Sequence, residues 1–288
     1  MDMDIPIYTV DAFTDTPFSG NQAAICLVDR AIQESTMQLL AAEMNISETA
    51  YIEFNDSTTS FKDGKYFKLR WFTPTNEVPL CGHATLAAAA VLLFECGNTN
   101  EIITFSTLSG DLTITSVKDK ITMDFPKNEP VEEDSSNWEP LANAVLGKYY
   151  EHLESVLLSS NAKKLILRLN DECSQSTLQS ISPDFQEMLK AHDGSIVKGI
   201  IVTLKGDKGC HFYSRYFAPW NGIPEDPVTG SAHTVLGPYW CKILGQKNLC
   251  ARQCSKRGGK LDVLVCDSRV YISGSAKVIV KGKVHLPC

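Results

Sequence analysis

The feature that most constrains this chain is that it contains itself twice. The segment Arg70–Pro79, RWFTPTNEVP, returns as Arg215–Pro224, RYFAPWNGIP, at an offset of 215 − 70 = 145 residues. Arg, Phe, Pro, Asn and Pro recur at matching positions. The match then runs on. Cys81–Leu86 (CGHATL) meets Thr229–Thr234 (TGSAHT), pairing Gly82 with Gly230 at offset 148. Ser109–Ile114 (SGDLTI) meets Gly258–Val263 (GGKLDV), and Lys120–Met123 (KITM) meets Arg269–Ile272 (RVYI), both at offset 149. Four segments in one order with so little drift mark a duplication. A chain of 288 residues has room for two such domains.

Each copy reads as one α+β unit. FKLRWFTP and FYSRYFAP are rich in β-formers and stop at proline, so they are expected strands. GDLTITSVKDKITMDFP alternates and turns at Lys118–Lys120, as a hairpin does. The run after Gly82, HATLAAAAVLLF, is apolar on every side and is expected to be buried on every side, as a helix wrapped by a sheet is. Gln33–Asn45 reads as an amphipathic helix, followed by a turn over Ile46–Thr49 and a strand from Ala50. Lys127 to about Asn143, with two prolines and an acidic patch, reads as the linker between the copies. The expected organisation is an N-terminal half over residues 1–127, a C-terminal half over 128–275, and a final strand and tail over 276–288.

The formal charge of −7 and the lack of any dense Lys/Arg run argue against a nucleic-acid partner. The start, MDMDIPIYTVDAF, lacks the basic and apolar regions of a signal peptide, and no apolar run is long enough to cross a membrane. The ten cysteines, Cys288 included, show no CxxC pair or zinc-ligand spacing, so reduced thiols and a cytoplasmic setting are expected, with no metal.

Two like units tend to enclose a cleft, where ligands bind. Each copy sends a loop into the start of its buried helix, the first through Cys81-Gly82-His83 and the second through Thr229-Gly230-Ser231. Helix starts offer free N–H groups to an anion, so a small carboxylate-bearing molecule is the expected partner. Position alone leaves alternatives open. His83 suits catalysis or packing, Asp226 catalysis or a turn, and Ser231 ligand binding or a helix cap. Cys81 is either a reactive thiol or inert core. Glu48, alone between a helix and an apolar strand, is either functional or an ordinary solvent-facing acid.

Four stretches together, DAFTDTPFSGNQAAICL, EMNISETAYI, LRWFTPTNEVPLCGHATL and FAPWNGIPEDPVTGSAH, resemble the PhzF (phenazine biosynthesis-like) family, nearest to its vertebrate branch. The resemblance spans essentially the whole chain. It implies the fold of diaminopimelate epimerase, an α+β architecture of two pseudo-symmetric halves, each a curled mixed or antiparallel sheet around a central buried helix. In such folds the last strand, here Ala276–Leu286, can return to the first half. The resemblance gives Glu48 the role of general acid/base, makes His83 and Asp226 catalytic companions, and lines the site with Ser47, Gly82, Gly230 and Ser231. It also implies a homodimer and chemistry without a cofactor. Epimerases of this fold use two cysteines. Cys81 stands at the first of those places, and Pro227, which has no proton to give, is read here at the second.

The resulting expectation is a cofactor-independent isomerase that moves a proton on a small carboxylate-bearing substrate. The alternatives are a non-catalytic binding or interaction scaffold that keeps the fold, and an epimerase dependent on Cys81, which serves otherwise as a possible accessory residue.

Overall fold

Strands form where β-branched and aromatic residues alternate, and helices where small or periodic apolar residues run. The structure is a computed structural model describing residues 3–55, 60–207 and 209–286; Met1, Asp2 and Cys288 lie outside the described residues. The chain divides into two compact units, Met1–Phe125 with Ser273–Cys288, and Pro126–Ile272.

The first unit runs β1 (Met3–Ala12), β2 (Asn21–Val28), α1 (Glu34–Met44), β3 (Glu48–Phe54), β4 (Tyr66–Phe72), β5 (Glu77–Val78), α2 (Gly82–Ala90), β6 (Ile102–Thr107), β7 (Gly110–Val117) and β8 (Lys120–Pro126). The second runs β9 (Val131–Glu133), α3 (Glu139–Leu146), β10 (Leu153–Ser159), β11 (Lys164–Leu169), α4 (Gln175–Ser180), α5 (Phe185–Ala191), β12 (Gly199–Lys205), β13 (Phe212–Phe217), α6 (Gly230–Leu244), β14 (Asn248–Gln253), β15 (Gly259–Val265) and β16 (Arg269–Gly274). A last strand, β17 (Ala276–Leu286), pairs antiparallel with β1.

The repeat reappears as one pairing plan used in each unit. In the first, β1–β2 is antiparallel, β2–β3 parallel, β3–β4 antiparallel, β4–β6 parallel and β6–β7 antiparallel. In the second, β10–β11 is antiparallel, β11–β12 parallel, β12–β13 antiparallel, β13–β14 parallel and β14–β15 antiparallel. Each plan carries one flanking strand: β17 beside β1, and β9 beside β10.

Helix α2 is buried from His83 through Ala90, and continues as a π-helical turn over Val91–Glu95. Alanines let strands pack close to its backbone and cost no side-chain entropy. Helix α6 approaches β15 so closely that a methyl group at Gly237 would lie 2.9 Å from a Val263 methyl. Pro238 sits within α6 and cannot donate to the Thr234 carbonyl, as a residue there otherwise would. The Asn128 backbone N–H takes its place, at 3.2 Å from that oxygen, while the Asn128 side chain donates to the Thr234 hydroxyl at 3.0 Å.

Two sequence readings need correction. The supposed linker is folded: β9 pairs with β10, and α3 buries Leu141, Ala142, Val145 and Leu146. Pro140 falls in the first turn of α3, where proline starts a helix rather than breaking one. And β3 begins at Glu48, not Ala50, because Asn45 in the left-handed conformation (φ 49°) already ends α1.

The same arginine fastens each unit. Arg70 on β4 grips Glu77 with Nε and Nη2 at 2.7 Å each, and Arg215 on β13 grips Glu225 at 2.7 and 2.9 Å. Glu77 opens β5 and Glu225 lies in the loop before α6, each on the segment that leads to its buried helix. Arg215 also donates Nη1 to the carbonyls of Leu178 and Ile181 at 3.0 and 2.6 Å, and its side chain is 10% exposed against 26% for Arg70. Arg215→Ala removes a buried guanidinium and strands a half-buried carboxylate and two carbonyls, and is expected to cost about 3 kcal/mol. Arg70→Ala, in a wetter site, is expected to cost about 1 kcal/mol. Urea unfolding followed by hydrogen exchange in the strands of each unit checks both values.

Candidate active site

In the first unit, three polar side chains converge where most neighbours are apolar. Glu48 is the first residue of β3, and the parallel β2–β3 register sets it beside Ala23. His83 lies in the first turn of α2, and Cys81 is the N-cap residue of that helix. All three are buried, at 7%, 5% and 8% exposure. His83 Nε2 lies 3.0 Å from Glu48 Oε2 and 3.2 Å from the Gln22 carbonyl, and its Nδ1 lies 3.4 Å from Cys81 Sγ. The Glu48–His83 contact is an ion pair without aligned hydrogen-bond geometry, which leaves Glu48 Oε2 with no hydrogen-bond partner among the described residues.

Burial works against the His83 imidazolium, but the Cys81 sulfur and the Glu48 carboxylate outweigh it and hold His83 well above the ordinary histidine value. Burial first, and then the Glu48 carboxylate, push the Cys81 thiol up. Glu48, Cys81 and His83 are also metal-ligand types, and their donor atoms lie within 4.8 Å of one another. A metal needs a thiolate and a neutral imidazole. Without a bound cation, both shifts favour the protonated forms of Cys81 and His83. No side chain caps the start of α2. Gly82 is half-buried between Cys81 and His83, and Ser47 is half-buried next to Glu48.

In the second unit, the loop before α6 has its own network. Asp226 is buried and accepts a hydrogen bond from the Thr229 hydroxyl. Gln253 on β14 ties both ends of that loop, donating to the Asp226 carbonyl at 2.7 Å and accepting the Thr229 N–H at 2.9 Å. Ser255 donates to the Pro227 carbonyl at 2.8 Å. Gly230 is buried and Ser231 half-buried at the helix start. The structure therefore gathers Glu48, Cys81, His83, Gly82 and Ser47 in one unit, and Asp226, Gly230 and Ser231 in the other.

The counterpart of Cys81 also needs correction. Cys81 is the N-cap of α2, and the N-cap of α6 is Thr229, not Pro227. Both stand directly before the repeated glycine. The second position thus carries a hydroxyl already committed to Asp226, so the two-thiol pair is still incomplete.

Sequence reading missed three residues. Gln253 gives no signal of its own in an ordinary strand. Lys164 opens β11, a strand buried throughout. Burial pulls its ammonium down to about 8, Asp226 acting in the opposite sense, and Nζ lies 5.6 Å over the Tyr216 ring. A lysine at the head of an otherwise largely apolar strand was the available clue. His233, in the first turns of α6, binds the Thr229 carbonyl through Nδ1 at 2.8 Å, and burial lowers it to about 4, so it stays neutral.

Comparison with known proteins agrees with this architecture. The family model PhzC-PhzF, phenazine biosynthesis-like protein, matches residues 10–282. A phenazine biosynthesis-like domain-containing protein of Rattus norvegicus is 46% identical over 286 residues, covering 97% of this chain and 99% of the relative. A Pseudomonas aeruginosa protein described as an uncharacterized isomerase is 38% identical over 288 residues, covering 99% of this chain and all of its own length (100%). The crystal structure of a PhzF-family phenazine biosynthesis protein from Enterococcus faecalis matches with a TM-score of 0.84 at 39% identity, over 99% of this chain and 100% of that one. The chain belongs to the phenazine biosynthesis-like (PhzC-PhzF) family and has its α+β, diaminopimelate epimerase-like fold.

Proposed function

We propose that this protein is an isomerase that moves a proton on a small carboxylate-bearing substrate, with Glu48 as the general acid/base. The observation that carries the reading is the buried Glu48–His83 ion pair at 3.0 Å, which sets a carboxylate and an imidazole side by side at the start of α2. A buried carboxylate can take a proton from carbon and return it elsewhere. The imidazolium beside it stabilises negative charge as that charge develops on the substrate. The uncapped N–H groups at Gly82, at the start of α2, suit the substrate carboxylate, and Ser47 adds a hydroxyl nearby. In the second unit, Asp226, Gly230 and Ser231 are proposed for substrate orientation and carboxylate binding. The isomerase named among the Pseudomonas aeruginosa relatives supports this class of reaction.

A binding scaffold gains nothing from three buried ionisable groups, whose desolvation is costly. Cys81 fits an accessory role. Its thiol is held toward the protonated form, and Thr229 rather than a second thiol stands at the N-cap position of the equivalent helix. The proposed chemistry needs no metal or organic cofactor.

Two experiments test this reading. A set of small carboxylic acids incubated with the protein in D2O is followed for deuterium gained at carbon. Glu48→Gln is expected to lower the exchange at least about 100-fold, while Cys81→Ala largely keeps it. Exchange that survives Glu48→Gln sinks the assignment. The second experiment concerns His83, whose folded value is raised above its unfolded one. The stability this contributes is fully present below the unfolded value, about pH 6.5, and is lost as pH rises through the folded value. Urea unfolding from about pH 6 to 9 should therefore show the advantage of wild type over His83→Gln shrinking as pH rises. A constant or growing advantage contradicts the raised value.

A further inference from the structure

We propose that Cys210 and Cys250, in the second unit, are a reversible oxidation site, closing to a disulfide when the protein meets a hydroperoxide. Their sulfurs stand 2.9 Å apart as free thiols. That is only about 0.9 Å longer than a disulfide bond. The backbone around them is already held in register. Strands β13 and β14 run parallel with Phe212 beside Ala251, so Cys210 lies two residues and Cys250 one residue ahead of that pairing. The His211 N–H donates to the Cys250 carbonyl at 2.8 Å, and the Cys250 N–H donates to His211 Nδ1 at 2.7 Å. Bond closure therefore needs side-chain rotation rather than strand movement.

The two thiols differ in access, and this sets the order of events. Cys210 is buried, whereas Cys250 is half-buried and also points its thiol toward the Gly209 carbonyl at 3.7 Å. Burial, and then the neighbouring Cys250, push the Cys210 thiol up to about 12, although Lys260 and Arg252 act in the opposite sense. Cys250 is thus the attacking sulfur. Its thiolate attacks one peroxide oxygen: an S–O bond forms, the O–O bond breaks, and the leaving oxygen takes a proton to become water or an alcohol. The Cys210 sulfur then attacks Cys250 Sγ. The S–S bond forms, the S–O bond breaks, and the departing hydroxide leaves as water with the Cys210 proton. Two thiols have been oxidised and one hydroperoxide reduced. The disulfide ties the start of β13 to β14, the strand whose Gln253 holds the Asp226 loop.

The test uses the full chain with hydrogen peroxide as the probe, followed by alkylation, trypsin and mass spectrometry. The expected product joins Gly209–Arg215 (GCHFYSR) to Asn248–Arg252 (NLCAR), each containing one cysteine, and dithiothreitol reverses it. The oxidised protein is expected to melt several degrees higher, roughly 5 °C, because the bond closes a long loop. Cys210→Ser is expected to stop at a Cys250 sulfenic acid that dimedone traps. Recovery of both peptides singly alkylated after peroxide treatment overturns the proposal, as does a bond from Cys250 to any other cysteine. The wild-type peptide result decides the matter even if Cys210→Ser fails to fold.

Discussion

An arginine–glutamate bridge, made once in each unit, sets how the chain enters each buried helix. Arg70–Glu77 and Arg215–Glu225 each join a strand to the segment that leads into a buried helix. Those segments cross from sheet to helix over a few residues that carry the polar groups of interest. A bidentate pair fixes both the distance and the angle of its partners. With Glu77 held, the chain turns so that Cys81 stands at the N-cap position of α2 and His83 falls in its first turn. With Glu225 held, Asp226 and Thr229 meet ahead of α6. The alanine-rich body of α2 is what allows this. Small side chains let the sheet wrap the helix closely, and only the helix start has room for polar chemistry.

Placing an ionisable cluster at that start is costly unless its members compensate one another. Glu48 and His83 lie close enough to do so, and Cys81 occupies the other ring nitrogen. The second unit solves the same problem differently. There the carboxylate of Asp226 takes a threonine hydroxyl, a glutamine locks the loop, and the histidine of the following helix turn, His233, stays neutral. One pairing plan thus supports two distinct polar networks. The side chain directly before the repeated glycine, Cys81 in one copy and Thr229 in the other, marks where they part.

Much of the fold was legible because it rests on local pattern and on self-similarity. The repeat found by aligning the chain on itself became the shared strand-pairing plan. The Ala-Leu run became a helix buried through Leu92, though Phe94 at its end is exposed, and the turn at Lys118–Lys120 became the β7–β8 hairpin. The misreadings came where local signals conflict with tertiary context. Two prolines and an acidic patch outweighed the apolar spacing of Leu141, Ala142, Val145 and Leu146, which α3 buries. The approach of Cys210 to Cys250 has no trace in the sequence, because a parallel strand pair sets it across forty residues of chain (|i−j| = 40). At the candidate site, Glu48, Cys81 and His83 could be named from motifs, but not their mutual distances. Gln253 and Lys164 escaped notice because strand pairing, not spacing, brings them to the Asp226 loop.

The central claim is that His83 is a buried imidazolium paired with the Glu48 carboxylate. Its most direct test is to locate the protons on that ring, by neutron diffraction or by the nitrogen chemical shifts of His83 near pH 7. The account predicts a proton on both Nδ1 and Nε2. A proton on one nitrogen alone, leaving a neutral ring between Cys81 and Glu48, would contradict it.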